Sequence, residues 1–243
     1  HKSKLLTAMI QNAINKKYIK PFGQKIINVF DNSYHIETLM RIIDDKGQIT
    51  MPSFFLEQSK TAGIYTNLTL LMLENVFDYF RHNTYHFSIN ITHEDMINKE
   101  VSFLFFNLID QYSMHGRVII ELVESEHIDS SNKNVSEFID KAKAAGCRIS
   151  IDDFGTGYSN FNYIVNMSPN FLKIDGSLIK NIDTDESAYL TVKSIVSLAK
   201  ELKIDIIAEY VHSETIFNIV RSLDIEFLQG YYLHQPEPIE NIT

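Results

Sequence analysis

Two apolar segments of the chain end in charged side chains that could carry out chemistry together. The segment RISI ends in the adjacent carboxylates Asp152 and Asp153, and a glycine-rich turn follows. Further along, FLKID ends in Lys173 and Asp175, which share a face because strand side chains repeat every two residues. An aspartate pair before a glycine-rich turn is also common as a simple turn with a helix cap. The pair therefore needs support from the rest of the chain.

Other apolar segments are also interrupted by polar residues. HIETLMRI places Glu37 and Arg41 on one face, although an internal salt bridge would explain this pair by itself. VIIELVES contains Glu121 near its carboxyl end and Glu124 in the turn just beyond. A charge inside an apolar strand costs free energy unless it is paired or bound to a metal. Three further polar residues lie at or near the ends of HFSINIT, DIIAEYV and FLQGYYL, namely Asn90, Glu209 and Gln229.

These side chains offer oxygen ligands without a cluster of cysteine and histidine. Such a donor set favours a hard cation, Mg²⁺ or Mn²⁺, over structural zinc. Two cations held by shared carboxylates are a common arrangement for phosphodiester cleavage, because they hold an oxygen nucleophile and the phosphate together. The residues alone therefore indicate a site for two metal ions.

The elements that must position these residues alternate between strand and helix for about eight rounds. This alternation predicts a parallel α/β fold, and its length suits a TIM-like (β/α)8 barrel better than an open sheet. In such a barrel the site lies at the carboxyl ends of the strands. No linker divides the chain, so we expect one domain over residues 1–243. The predicted helices are 3–16, two within 52–82, 93–115, 134–145, 186–203 and 213–223.

Composition excludes several classes of protein. The chain has 22 basic and 31 acidic residues and a net charge of −9, which argues against DNA as a partner. Its single cysteine, Cys147, cannot form an internal disulfide and is expected to pack as a small hydrophobic residue. The sequence has no apolar run long enough to predict a membrane span.

The motifs together resemble the EAL-domain family of cyclic di-GMP phosphodiesterases of bacterial second-messenger signalling. ETLMR stands where that family has its EAL-and-arginine motif, and SINIT resembles the family's asparagine strand. ELVES, IDDFGTGYSNF, FLKID, AEYV and QGYY follow in family order, so the resemblance covers nearly the whole chain. Each motif alone is weak, but the ordered set is specific.

The resemblance implies a role for each candidate residue. Lys173 would lie beside the attacking water as a base or an electrostatic partner. Arg41 would hold a substrate phosphate, Asp175 would contact the substrate, and Gln229 would be a polar contact in the metal and water shell. Glu124 would brace the loop at 155–160 and so support catalysis. The implied metal ligands, of which the first and the last also count as catalytic residues, are Glu37, Asn90, Glu121, Asp152, Asp153 and Glu209.

The resemblance also carries expectations about architecture and partners. The family barrel is similar to the TIM barrel, but its first strand is antiparallel to the others. A homodimer is expected, because the loop at 155–160 lies near a dimer interface in the family. The chain begins with His1 rather than Met, so we expect a domain of a longer protein with an upstream sensor or GGDEF domain. The domain is expected in the cytoplasm, whether or not the full-length protein is tethered to a membrane.

Four positions depart from the family pattern. Lys20 stands where the family has a glutamine that contacts the substrate, so Lys20 is a candidate substrate contact that puts affinity in doubt. Thr38 replaces the alanine of EAL and is expected to face away from the site. Tyr210 stands at a family glycine, and His212 stands at a family glutamate. His212 is expected to be a partly exposed polar residue, with metal binding as the alternative.

The leading hypothesis is a metal-dependent hydrolase that opens cyclic di-GMP to linear pGpG. The complete acidic set favours this enzyme. The competing hypothesis is a receptor module of the same family that binds cyclic di-GMP, or a partner protein, without hydrolysis; Lys20 and His212 favour it. A third hypothesis is an unrelated Mg²⁺-dependent lyase built on a barrel.

Overall fold

A computed structural model of the chain describes residues 2–123, 131–155 and 161–242, with the side chains of 161–163 not included. The helices are α1 Lys2–Asn15, α2 Pro52–Thr61, α3 Tyr65–Phe80, α4 His93–Ile97, α5 Lys99–Gln111, α6 Lys133–Ala144, α7 Phe161–Met167, α8 Gly176–Ile179, α9 Glu186–Leu202 and α10 Glu214–Ser222. The strands are β1 Ile19–Asn28, β2 Tyr34–Ile43, β3 Ile49–Thr50, β4 Phe87–Asn90, β5 Val118–Val123, β6 Arg148–Phe154, β7 Phe171–Ile174, β8 Asp205–Ala208, β9 Phe227–Leu228 and β10 Glu237–Pro238. A short 3-10 helix follows at Ile239–Asn241.

Eight of these strands close into a barrel. Strands β2, β4, β5, β6, β7, β8 and β9 follow one another in parallel around it. Strand β1 closes the ring by pairing antiparallel with both β2 and β9. The predicted TIM-like barrel with an antiparallel first strand is therefore confirmed. Because β1 runs the opposite way, its first residues lie at the same mouth as the carboxyl ends of the other strands.

The barrel has an apolar floor that is separate from the larger core between the strands and the helices. Phe227 packs against this floor from β9. Burial of this apolar surface stabilises the closed ring at its amino-terminal end. The floor consists of Ile26, Ile119, Phe171 and Ile207.

A polar side chain lies two positions above each floor residue, toward the mouth. Since strand side chains alternate, a residue two positions away projects from the same face into the barrel. On β1 the order is reversed, because that strand is antiparallel. The floor residues and the polar residues above them are Ile119 and Glu121, Phe171 and Lys173, Ile207 and Glu209, and Ile26 and Gln24.

The predicted helices are confirmed except in one place. The helix expected over 93–115 is wrong as a single element, because it is divided into α4 and α5 at Asn98. Asn98 has an extended backbone, and its side chain accepts hydrogen bonds from the backbone N–H groups of Glu100 and Val101. A residue in that conformation ends one helix and caps the next. The short elements β3, β10, α7 and α8 had not been predicted.

Two expectations about composition can be compared with the structure. Cys147 is buried, and burial raises the pKa of its thiol to about 12, which confirms that it packs as a small neutral side chain. Among the described residues, no helix is both long enough and apolar enough to cross a membrane.

Candidate active site

Lys173 lies at the centre of the barrel mouth, and its side chain is fully buried. Its Nζ atom is 3.0 Å from Oε1 of Glu209 and 3.1 Å from Oε2 of Glu121. The same atom is 3.3 Å from Oε1 of Glu37 and 3.4 Å from Oδ1 of Asp152. One ammonium group therefore faces four carboxylates, which come from or directly follow β2, β5, β6 and β8.

The pKa values of these groups show that negative charge at the site exceeds the positive charge of Lys173. Burial lowers the pKa of Lys173, but the four carboxylates outweigh burial and hold that pKa well above its usual value. Burial, together with repulsion from Glu37, raises the pKa of Glu121 well above its usual value. Burial also raises the pKa of Glu209 to about 8, with repulsion from Asp152 and Glu37 adding to it. One lysine is thus insufficient to keep all of these carboxylates ionised, and additional positive charge would be favourable there.

A β-bulge brings the two adjacent aspartates to the same site. The register of β6 against β7 shifts between Ile151 and Phe154, so Asp152 and Asp153 both lie in the irregular stretch. Asp153 has a φ of +55°, and its N–H donates to Oδ1 of Asp152 at 3.0 Å. In a regular strand the two side chains would point to opposite faces. Burial, with repulsion from Asp152 and Asp175, raises the pKa of Asp153 to about 6.

The carboxylates have an arrangement that fits hard cations. Oxygen atoms of Glu37, Glu121 and Asp152 lie within 4.8 Å of one another, and so do those of Asp152, Asp153 and Glu209. Asp152 belongs to both groups. Within the described residues, Oε1 of Glu121 is buried and has no hydrogen-bond partner. An unsatisfied buried carboxylate oxygen and an all-oxygen donor set are the features expected of a site for a hard divalent cation.

Other predicted residues lie around this cluster. Asn90 ends β4 in register with Glu121, so the two residues are at the same height on neighbouring strands. Asp175 follows β7, lines the cleft above the site, and accepts a hydrogen bond from the backbone N–H of Ser177 at 2.7 Å. Glu124 and the loop 156–160 lie outside the described residues.

A chain of amide side chains orients Glu37, and one of them was missed by sequence analysis. Gln229 donates from Nε2 to Oε2 of Glu37 and to Oε1 of Gln24, the latter at 3.0 Å. Gln24 in turn donates to the backbone oxygen of His234 at 2.9 Å. Gln24 lies on β1 directly opposite Glu37. Two-residue alternation from Lys20, along an antiparallel first strand, would have placed Gln24 on the inner face.

Lys20 and Arg41 face each other across β1 and β2. Lys20 is exposed and lines a groove beside Lys16 and Lys17, and it is not among the residues that line the cleft above Glu37.

Arg41 is buried, donates to the backbone oxygen of Met40 at 2.8 Å, and lies over the ring of Phe22, 5.4 Å from the ring centroid. In the part of the chain that is described, Glu37 forms its ion pair with Lys173 and not with Arg41. The internal salt bridge considered for Arg41 is thus not formed.

Two departures from the family pattern also have a structural explanation. Thr38 is 1% exposed and donates to the backbone oxygen of Ser88 at 2.7 Å, so it faces away from the site as expected. His212 is exposed, and its Nε2 lies 3.2 Å from the backbone oxygen of Lys180. His212 belongs to neither carboxylate group, which fits its interpretation as an exposed polar residue.

Above the carboxylates the barrel opens into a cleft of about 610 Å³. Its walls include Glu37, Glu209 and Gln229 on the inner side. Two tyrosines, Tyr210 and Tyr231, line the outer part and are 51% and 65% exposed. The cleft therefore combines an acidic inner end with an aromatic rim, and its size is typical of small-molecule sites.

Comparison with known proteins agrees with this geometry. A family model described as EAL domain matches residues 7–236. The cyclic di-GMP phosphodiesterase PdeF of Escherichia coli (strain K12) is 29% identical over 236 residues, or 95% of this chain and 31% of that protein. The cyclic di-GMP phosphodiesterase PdeA of Borreliella burgdorferi is 30% identical over 237 residues, or 95% of this chain and 35% of that protein.

A solved structure shares the fold. The EAL enzyme Bd1971, in its cAMP and cyclic-di-GMP bound form, has a TM-score of 0.83 and 25% identity, covering 96% of this chain and 65% of that one. This chain belongs to the EAL-domain family. It spans about a third of the length of the curated relatives described above.

Proposed function

We propose that this chain is a cyclic di-GMP phosphodiesterase that opens its substrate to linear pGpG and requires Mg²⁺ or Mn²⁺. The observation that carries the proposal is the ring of four carboxylates around Lys173, in which one buried oxygen of Glu121 has no hydrogen-bond partner among the described residues. The names of the relatives support cyclic di-GMP as the substrate. Net charge of the whole chain is −9, so binding of a phosphodiester needs local positive charge at the site.

The reaction adds water across one phosphodiester. A water oxygen attacks phosphorus, the bond from phosphorus to the 3′ oxygen breaks, and the leaving oxygen takes up a proton. Two divalent ions would activate the water and stabilise charge on the phosphate oxygens. The residues that would hold them are Glu37, Asn90, Glu121, Asp152, Asp153 and Glu209.

The other side chains of the site have distinct tasks in this proposal. The Lys173 ammonium lies among the carboxylates and offsets their charge next to the reacting phosphate. Gln229 and Gln24 hold Glu37 in one orientation through their hydrogen bonds. Asp175 contacts the substrate at the cleft wall that it lines. Arg41 holds a substrate phosphate, as the family resemblance implies. Glu124 braces the neighbouring loop, as the family resemblance implies.

The test is turnover of cyclic di-GMP by the purified chain, followed by chromatography of the nucleotides. We expect pGpG to form with Mn²⁺ or Mg²⁺ and to disappear in EDTA, while circular dichroism remains that of the folded barrel. Glu37→Gln should abolish turnover because it removes a ligand charge. Glu57→Gln, at an exposed position on α2, is the matched control and should leave turnover unchanged. Hydrolysis that persisted in EDTA would refute the metal requirement.

The receptor hypothesis is the alternative outcome of the same experiment. Binding of cyclic di-GMP without any pGpG would support a receptor module and refute the hydrolase. Because Lys20 does not line the cleft, it gives less support to the receptor hypothesis than its sequence position suggested.

We further propose that the chain forms a single barrel domain and that two copies associate as a homodimer.

A further inference from the structure

Tyr210 has an unusual backbone conformation next to the site. It directly follows Glu209 and has a φ of +58°, in the left-handed region. A bulky residue without a glycine's freedom is rarely found there, and the conformation costs free energy. Strained residues of this kind persist where the surrounding structure holds them, and they cluster at ligand sites. The conformation of Tyr210 therefore calls for a functional explanation.

Burial of the ring does not supply that explanation, because Tyr210 is 51% exposed. Its neighbours instead fix where the ring lies. A Cβ atom added to Gly176 would come within 2.8 Å of the Cβ of Tyr210, so the tyrosine packs directly against that backbone. The ring of His212 lies 5.4 Å away, and Nζ of Lys180 lies 5.9 Å from the ring centroid. Tyr210 is thus held in place while its exposed half borders the cleft.

Backbone hydrogen bonds join the segment that follows Tyr210 to residues 229–232 on the opposite side of the cleft rim. The N–H of Val211 donates to the backbone oxygen of Gln229 at 3.0 Å, and the N–H of Tyr232 donates to that of Val211 at 3.1 Å. At Gly230 a Cβ atom would lie 2.1 Å from the backbone oxygen of Val211, so this close approach of the two segments leaves no room for a side chain there. Tyr210 is therefore displayed from a segment that is fixed relative to the carboxylates.

We propose that Tyr210 stacks on one purine base of the cyclic dinucleotide, and so sets affinity for the substrate. The inference rests on the proposed function for the identity of that ligand. A phosphodiester above the carboxylates leaves its bases outside the acidic cluster, toward the rim that Tyr210 lines. Stacking of a base on an aromatic ring needs no charge and stabilises binding whatever the base. Tyr210 acts in binding, while the side chains around Lys173 carry the chemistry.

The test compares Tyr210→Gly, Tyr210→Leu and Tyr210→Phe. The glycine variant removes the ring and relieves the backbone strain, so a loss of binding in this variant does not arise from strain at position 210. We expect the Kd for cyclic di-GMP, measured calorimetrically with Ca²⁺, to rise about 5- to 150-fold in the glycine and leucine variants, as loss of one base stack predicts. Ca²⁺ is chosen because its looser coordination should orient the attacking water poorly and so limit turnover during the measurement. The phenylalanine variant keeps the ring and should remain within about threefold of wild type.

A second substrate separates stacking from damage to the neighbouring Glu209. Hydrolysis of bis(p-nitrophenyl) phosphate, which carries no purine, should be the same in wild type and the leucine variant. KM for cyclic di-GMP should rise in that variant, while kcat stays within about twofold. An unchanged Kd in the glycine and leucine variants would overturn the inference, as would an equal loss of activity on both substrates. A wild type that binds but does not hydrolyse refutes the proposed function alone, since the Kd comparison still decides the role of Tyr210.

Discussion

Replacing Lys173 by methionine should strongly destabilise the chain when no metal is present. The variant keeps a side chain of similar length but removes the only cation that contacts Glu37, Glu121, Asp152 and Glu209 among the described ion pairs. Removing one partner of a buried ion pair typically costs about 3–5 kcal/mol, because the remaining charges stay buried. Here the carboxylates can take up protons, which reduces the loss. We therefore expect the free energy of unfolding to fall by about 3 kcal/mol in EDTA at neutral pH.

The assay is urea unfolding followed by circular dichroism, in EDTA and again with excess Mn²⁺. Lys200→Met is a matched control, because Nζ of Lys200 also lies 3.0 Å from a carboxylate, Asp224, but both side chains are more than half exposed. Exposed pairs contribute about 0–1 kcal/mol. We expect Mn²⁺ to stabilise the Lys173 variant more than wild type, since the ions then supply the missing charge. Equal losses in the two lysine variants would show that the buried cluster does not depend on Lys173.

Three further predictions test other parts of the structure. Gln24→Leu should lower kcat about tenfold with little change in KM, because Gln229 loses its hydrogen bond to Gln24 and then orients Glu37 less well; an unchanged kcat would contradict this role. Glu124→Ala should lose activity and weaken metal binding while circular dichroism stays normal, and a fully active variant would show that Glu124 is only a surface acid. Cys147 should react with a thiol reagent at pH 8 only after unfolding in urea, because burial raises its pKa; rapid reaction of the folded chain would contradict its placement.

The amino-acid sequence alone determined the order of the main helices and strands. It also placed most site residues near the carboxyl ends of their strands. Apolar alternation located the main strands, and the two-residue period placed Lys173 and Asp175 on one face and Glu121 on a face near the carboxyl end of its strand. Helix periodicity located most helices, but the break at Asn98 was missed, although asparagine favours caps over helix interiors and could have indicated it. The antiparallel first strand came from family resemblance, since alternation carries no information about strand direction.

Only the tertiary structure decided which of these side chains meet. The four carboxylates around Lys173 come from segments between Glu37 and Glu209, and closure of the barrel brings their ends together. Strand periodicity by itself would place Asp152 and Asp153 on opposite faces, whereas a register shift against β7 brings both to the site. Pairing of β1 with β2 places Gln24 opposite Glu37 in the site, whereas Lys20 lies in a different groove. Local sequence specifies the face of each strand, but register and closure depend on contacts between residues far apart in the chain, which no short segment encodes.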